Sequence, residues 1–323
     1  MKCNFLSIQC FAVFLIIINI PLIQSCTNDA GASDTTAVQK EDNVALMPML
    51  LSDQFKNYWY AGKAEICSYH LKQARYGEIH DGSAVTIFVT EDFSKAKQVK
   101  LDHPETAGDD RLPVLKLNLV KKFVTGIYPY SMMMSAFSPV DIVNYPHAIK
   151  IAASVQEWCG STYTQLNNRN GKYLVTWNSY FEDEGDKNVT FEKCFLEDEL
   201  WNLIRITPDH LPVGEQKVLP GSLYTRMTHI PLNVENAVLA LKANGDTMLY
   251  TINYKTQQHI IDIKFEKSFP HKILGWDETF PGFDGKLLTT IATLDKTIMT
   301  NYWTHHNNAD RSLRSQLGIP ENF

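Results

Sequence analysis

The segment Glu157-Trp158-Cys159-Gly160 sets a thiol two residues from a carboxylate. A cysteine attacks only as the thiolate, which needs a base and a positive surrounding. The histidine nearest in sequence, His147, lies on the far side of a predicted strand. Cys159 therefore reads as a structural residue at a strand end, with Gly160 permitting a bend. Catalysis by Glu157 and Cys159, in an envelope hydrolase, is the alternative. The ten histidines form no H-x-x-x-H helix, and the adjacent pair His305-His306 would point its side chains apart. Glu182-Asp183-Glu184-Gly185-Asp186 lacks the spaced D-x-D-x-D-G order of a calcium loop and reads as an acidic hairpin tip. No metal and no cofactor is implied. The sequence also holds no G-x-S-x-G elbow, Walker loop, G-x-G-x-x-G or H-E-x-x-H, so the balance leans against an enzyme.

A second group suits binding. Gly126 to Met134 is apolar without a clear period and contains Tyr128, Tyr130, Met132, Met133 and Met134. Methionine adapts its shape to apolar ligands, and tyrosine couples an apolar ring to a polar tip. These five side chains cannot share one face of a strand. Either some point outward, or the segment lies as a loop over the mouth of a sheet. They are the candidate contacts for an apolar, lipid-like or glycan ligand, weighed against simple plugging of the core.

The elements that would hold these residues are strands. Period-two runs occur at Ala64 to Tyr69, Val85 to Val89, Leu115 to Val120, Ile149 to Val155, Tyr173 to Phe181, Val189 to Phe195, Ala237 to Leu241, Met248 to Tyr254 and Ile261 to Phe265. Asp81-Gly82, Asn170-Gly171 and Asn244-Gly245 read as hairpin turns. Only Leu196 to Ile206 and Asp310 to Leu317 read as helices, the first with Glu197, Asp198 and Glu199 in its opening turn. The expected fold is mainly β, an antiparallel sandwich or partly open β-barrel with one or two short helices. It forms a single β-rich domain over residues 53–323.

The N-terminus has a different character. Lys2 precedes the apolar run Phe11 to Ile18, which continues to Ile23 with Pro21 inside it, the form of a signal peptide over residues 1–25. Ile23-Gln24-Ser25-Cys26 resembles a bacterial lipobox, which makes Cys26 the expected lipidation site. Residues 26–52 are polar and lack periodicity at their start, as a flexible tether would be. Such a chain is membrane-anchored through lipid on the periplasmic or surface side of the cell envelope. Cys67, Cys159 and Cys194 remain, an odd number, expected as buried free thiols, with any disulfide pairing open. The net charge of −6 lacks the footprint of a nucleic-acid binder.

Several segments, among them Tyr58-Trp59-Tyr60-Ala61-Gly62-Lys63-Ala64-Glu65-Ile66, Gln73-Ala74-Arg75-Tyr76-Gly77-Glu78, Thr125-Gly126-Ile127-Tyr128-Pro129-Tyr130, Gln156-Glu157-Trp158-Cys159-Gly160 and Glu199-Leu200-Trp201, resemble a family of Bacteroidetes-type envelope lipoproteins. The resemblance covers most of the chain from about residue 53. Members often carry the name "septum formation inhibitor Maf", which implies a cytoplasmic nucleotide pyrophosphatase. The Ser-x-Ser-Pro-Arg-Arg type of phosphate segment belonging to that enzyme has no counterpart here. The resemblance implies an envelope protein and brings no activity or site residues. The expectation is a lipoprotein that binds an apolar or glycan ligand, or an envelope partner.

Overall fold

The computed structural model describes residues 51–320; the expected signal segment and Cys26 lie outside them. After a short helix, α1 (Asp53–Trp59), the chain lays down β1 (Ala64–Arg75), β2 (Glu78–Ser94), β3 (Arg111–Thr125), β4 (Tyr128–Pro139), β5 (Lys150–Glu157), β6 (Gly160–Arg169), β7 (Lys172–Ser179) and β8 (Lys187–Glu192). Each strand pairs with the next, antiparallel. A two-residue strand β9 (Phe195–Leu196), helix α2 (Glu197–Ile206), β10 (Gly214–Leu219) and helix α3 (Ser222–Thr228) follow. A second meander then returns through β11 (Glu235–Asn244), β12 (Thr247–Tyr254), β13 (His259–Glu266), β14 (Ile273–Pro281) and β15 (Leu287–Thr300), before helix α4 (Ser312–Gln316). Strand β15 pairs antiparallel with β1, so both meanders join into one sheet of fifteen strands, with β8 and β9 at its edges. Among the described strands only β9 and β10 pair in parallel.

The fold is mainly β, as expected, and of the two expected forms it is the open one: a single sheet that does not close. It does curl. Lys121 on β3 and Glu278 on β14 lie four strand positions apart, which is about 19 Å in a flat sheet at ~4.8 Å per strand. Their charged ends are 3.4 Å apart. Side chains of this length do not span the flat distance, so the sheet bends around them. Helices α2 and α3 fill the concave side. Leu200 and Ile204 are buried there, Trp201 meets Trp276 edge-on at 5.2 Å, and Asn202 Nδ2 donates to the carbonyls of Leu115 and Ala136 and to Ser138 Oγ. Alternation supplies the opposing layer, as Tyr173, Val175 and Trp177 on β7 show by facing inward between exposed neighbours.

Helices α1 and α3 were not predicted from the pattern. Each has seven residues, about two turns, too few for a 3.6-residue period to stand out. None of the described helices is long and apolar enough to cross a membrane. The turn expected at Asp81-Gly82 is also displaced. Both residues lie inside β2, and the turn falls at Tyr76-Gly77, which take φ of 53° and 80°. Gly82 serves close approach instead, since a Cβ there would collide with the Lys122 carbonyl oxygen on β3.

Candidate functional site

Antiparallel connections alternate between the two ends of a sheet, so the β1–β2, β3–β4, β5–β6, β7–β8 and β14–β15 turns gather at one end. A cavity of about 410 Å³ opens there. Its wall includes Ala74, Arg75, Tyr76, Tyr224, Met227, Ile230, Phe280, Phe283 and Leu288. That volume is in the range of small-molecule sites, and the lining has the usual form of apolar walls with few polar groups.

Arg75 is the main polar group. It is buried at the end of β1, and its Nη1 donates to the Met227 carbonyl at the end of α3. Its Nη2 reaches the hydroxyls of Tyr76 at 3.2 Å and Tyr130 at 3.3 Å, while the guanidinium lies over the Tyr76 ring at 4.2 Å and the Phe283 ring at 5.6 Å. No carboxylate among the described residues forms an ion pair with it, and its Nε–H is buried without a partner. The hydroxyls of Tyr128, Tyr76 and Tyr130 run in sequence at 3.1 and 2.8 Å. Burial opposes ionisation of Tyr76, but hydrogen bonds from Tyr128, Tyr130 and Arg75 bring its pKa below the ordinary tyrosine value.

A second guanidinium stands behind the first. Arg226 pairs with Glu184 at 3.6 Å, lies over Phe181 at 4.4 Å and also has a buried Nε–H without a partner. His229 sits between the two arginines, 3.4 Å from Arg75 Nη2 and 3.1 Å from Arg226 Nη1. Its pKa is lowered, first by burial and also by both cations, against the opposing bond to Glu184. The neutral ring then donates from Nδ1 to Glu184 at 2.7 Å and accepts at Nε2. Two cations thus converge on one acceptor, an arrangement suited to an anionic or strongly polar group at the cavity wall.

Deeper in the concave face lies a separate set of ionisable groups. Glu278 faces Lys121 at 3.4 Å and His259 at 3.3 Å. Although burial works against it, these two hold its carboxyl down at about 2. Asp198 accepts from Ser222 N at 3.0 Å and Ser222 Oγ at 2.6 Å, yet burial raises its pKa to about 6. Glu197 accepts from Tyr254 at 2.8 Å and is raised further, by burial and by the charges of Asp198 and Glu278. His259 is stacked between Tyr224 at 3.5 Å and Tyr254 at 5.1 Å. The space among these groups is only about 30 Å³, so this set belongs to the framework. Among the described residues no three His, Cys, Asp or Glu side chains are placed to hold a metal ion.

The Gly126–Phe137 segment is a hairpin turn followed by strand β4. Tyr130, Met132 and Met134 point into the core, Met133 points outward and Tyr128 is half-buried. Of the five candidates, Tyr128 and Tyr130 join the polar rim of the cavity through Tyr76, and Met132 and Met134 pack in the core. Cys159 is exposed at the β5–β6 turn, which corrects the expectation of three buried thiols; Cys67 and Cys194 are buried, and all three are free. Glu157 is buried and accepts the Cys159 backbone N–H at 2.6 Å, fixing the turn. Through its hydrogen bond and charge the same carboxylate raises the Cys159 pKa. No histidine among the described residues hydrogen-bonds this thiol. Of the three described cysteines, only Cys159 should therefore react with a thiol reagent in native protein at neutral pH, more slowly than free cysteine. Cys67 and Cys194, each raised to about 11 first by burial, should react only after denaturation. Faster labelling of Cys159 than of free cysteine would contradict this electrostatic picture.

Arg75, Arg226, His229 and Glu184 carry no local motif. The nearest signal is Glu184 within the acidic tip, where it turns inward while Asp183 stays exposed.

No family model matches the chain, and no curated protein matches it. Among solved structures, a beta-barrel-like protein of domain of unknown function DUF1849 from Brucella abortus is similar, at 10% identity with a TM-score of 0.44. The likeness covers 73% of this chain and 97% of that one.

Proposed function

We propose that this chain is a lipid-anchored envelope protein that binds an elongated apolar or amphiphilic ligand, without transforming it, in the cavity at the β1–β2 turn end. The carrying observation is the cavity of about 410 Å³, in which apolar side chains from β1, α3, β14 and β15 meet the guanidinium of Arg75. The walls accommodate an alkyl chain, and Arg75 supplies a charged contact for a head group. Membrane attachment is supported by the apolar run before Ile23-Gln24-Ser25-Cys26.

Displacement of a fluorescent fatty acid by unlabelled amphiphiles tests the reading. Single-chain carboxylates should displace the probe at least about tenfold more effectively than alcohols of equal chain length, the value of one charge-assisted hydrogen bond. Leu288→Trp, which places bulk at a half-buried position in the wall, should abolish probe binding while the melting temperature stays close to the parent's. Unchanged probe binding by Leu288→Trp would remove the ligand from this cavity.

A further inference from the structure

The two ends of the sheet differ in surface character. Among the described residues, the large apolar side chains more than half exposed are Val124, Ile127, Trp158, Tyr180, Val213, Phe283 and Leu287, and all but Val213 lie at the cavity end. Most occupy turn tips, where a soluble protein normally places Gly, Asn, Asp or Ser. Ile127 is 79% exposed at the β3–β4 turn, Trp158 is 66% exposed at β5–β6, and Phe283 is 68% exposed at β14–β15. The tips also touch one another. Phe283 stacks on Tyr76 at 6.3 Å, the Tyr76 and Tyr128 hydroxyls meet at 3.1 Å, and Tyr128 lies 6.4 Å from Trp158. The opposite end is more polar: Val213 is its one large apolar side chain more than half exposed among the described residues, and one of its connections carries Lys95, Lys97, Lys100, Asp102, Glu105 and Asp109.

We propose that this apolar rim docks on a lipid bilayer, with Ile127, Trp158, Tyr180 and Phe283 entering the head-group layer. Tryptophan and tyrosine suit that layer because one edge of the ring is apolar and the other polar. The rim carries no positive excess to capture anionic lipid, since Glu182, Asp183 and Asp284 stand beside the exposed rings together with Lys187 and Lys286. Docking is therefore driven by apolar burial and is insensitive to salt. The cavity opens among the same turns, so a lipid-like ligand would pass between bilayer and cavity without crossing water; this part rests on the reading of the cavity given above. The chain permits the orientation. Helix α1 sits at the opposite end, with Phe55 against Phe269 of the β13–β14 connection. The segment from Cys26 to Leu51 reaches at most ~80–90 Å. The longest strand, β2, has 17 residues and spans roughly 56 Å. A protein anchored at Cys26 can therefore turn its rim to the same membrane.

The six tryptophans provide the test. Four are buried, and the two exposed ones, Trp158 and Trp303, lie at opposite ends. The full chain is bound to phosphatidylcholine vesicles carrying a doxyl quencher near the head group, as Trp303→Phe and as Trp158→Phe. The first protein, which keeps Trp158, should be quenched, with emission shifted to the blue. The second, which keeps Trp303, should not be. Ile127→Asp combined with Phe283→Asp in the Trp303→Phe background should abolish the quenching while leaving the anchor and core in place. Quenching of Trp303 instead, equal quenching of both, or no quenching of vesicle-bound protein overturns the proposal. Failure to associate with vesicles does so too. Quenching of Trp158 combined with failed fatty-acid displacement would leave the docking surface intact and sink only the cavity reading.

Discussion

Arg205→Met should lower the stability of the protein by about 3–5 kcal/mol, the cost of leaving a buried charge without its partner. Arg205 on α2 and Glu65 on β1 are both wholly buried and joined by two parallel hydrogen bonds of 2.6 and 2.8 Å. Every other direction is also satisfied. Arg205 Nε donates to the Pro270 carbonyl at 2.9 Å, and the guanidinium lies over the rings of Trp59 at 4.9 Å and Phe88 at 4.6 Å. Glu65 accepts from the Tyr58 hydroxyl and from Cys67 Sγ. Burial acts to raise the Glu65 pKa, but Arg205 outweighs it and holds the carboxyl below its ordinary value. The pair thus ties α1, β1, α2 and the β13–β14 connection into one unit. Without Arg205, Glu65 must ionise in an apolar site or take up a proton, so the variant should recover part of its stability on acidification. Glu65→Leu combined with Arg205→Met should lie much closer to the parent than either single variant, because the double change leaves no charge behind. Urea unfolding of all four proteins measures the cycle. A loss below about 1 kcal/mol for Arg205→Met would mean that water reaches the pair.

The legible parts of the sequence were those in which one strand face meets the core. Tyr173, Val175 and Trp177 alternate with exposed, mostly polar neighbours because β7 has one dry and one wet side, and that contrast is local. Sheet closure is not local. Two meanders of alternating strands fit a sandwich as well as one curled sheet, and the difference lies in the β1–β15 pairing, which joins residues as far apart in sequence as Ala64 and Thr300. The turn at Tyr76-Gly77 was masked by Asp81-Gly82, whose composition is that of a turn but whose glycine makes room for the Lys122 carbonyl. Helix α2 was legible in position but not in environment. Acids in a first turn suit the positive helix end whether wet or dry, and here Glu197, Asp198 and Glu199 are all buried. Glu199 shows why: besides the local backbone N–H of Leu196, it accepts from that of Ala148 and faces His147 at 2.9 Å, and these last two partners exist only after the segment before β5 meets α2. The charged residues behind the cavity rim escaped sequence reasoning for the same reason, since Arg75, Glu184, Arg226 and His229 converge from three distant segments.

Asp198→Asn should stabilise the protein near neutral pH and leave it almost unchanged near pH 4. Burial lifts the Asp198 carboxyl from an ordinary 3.8 to about 6 in the fold. Between these values the folded chain holds a proton that the unfolded chain has released. Stability from this group is therefore complete below about pH 4 and falls as pH rises through 6. Two pH units at 1.36 kcal/mol each put the loss at up to about 3 kcal/mol. Asparagine keeps a carbonyl oxygen to accept from Ser222 N and Oγ but has no charge to desolvate. At pH 7 to 8 the variant should melt about 5–10 °C above the parent, given roughly 2–4 °C per kcal/mol for a chain of this size. Glu278 supplies the opposite control within the same set. Its carboxyl is held at about 2 by Lys121 and His259, so its stabilising effect is present above the unfolded value near 4.5 and is lost as pH falls. Glu278→Gln should accordingly destabilise at pH 7 and converge on the parent toward pH 2. Melting curves of the parent and both variants from pH 3 to 8 separate the two signs. A constant offset between parent and Asp198→Asn across that range would show that Asp198 does not change its charge on folding, and the assignment of the buried proton to this residue would fall.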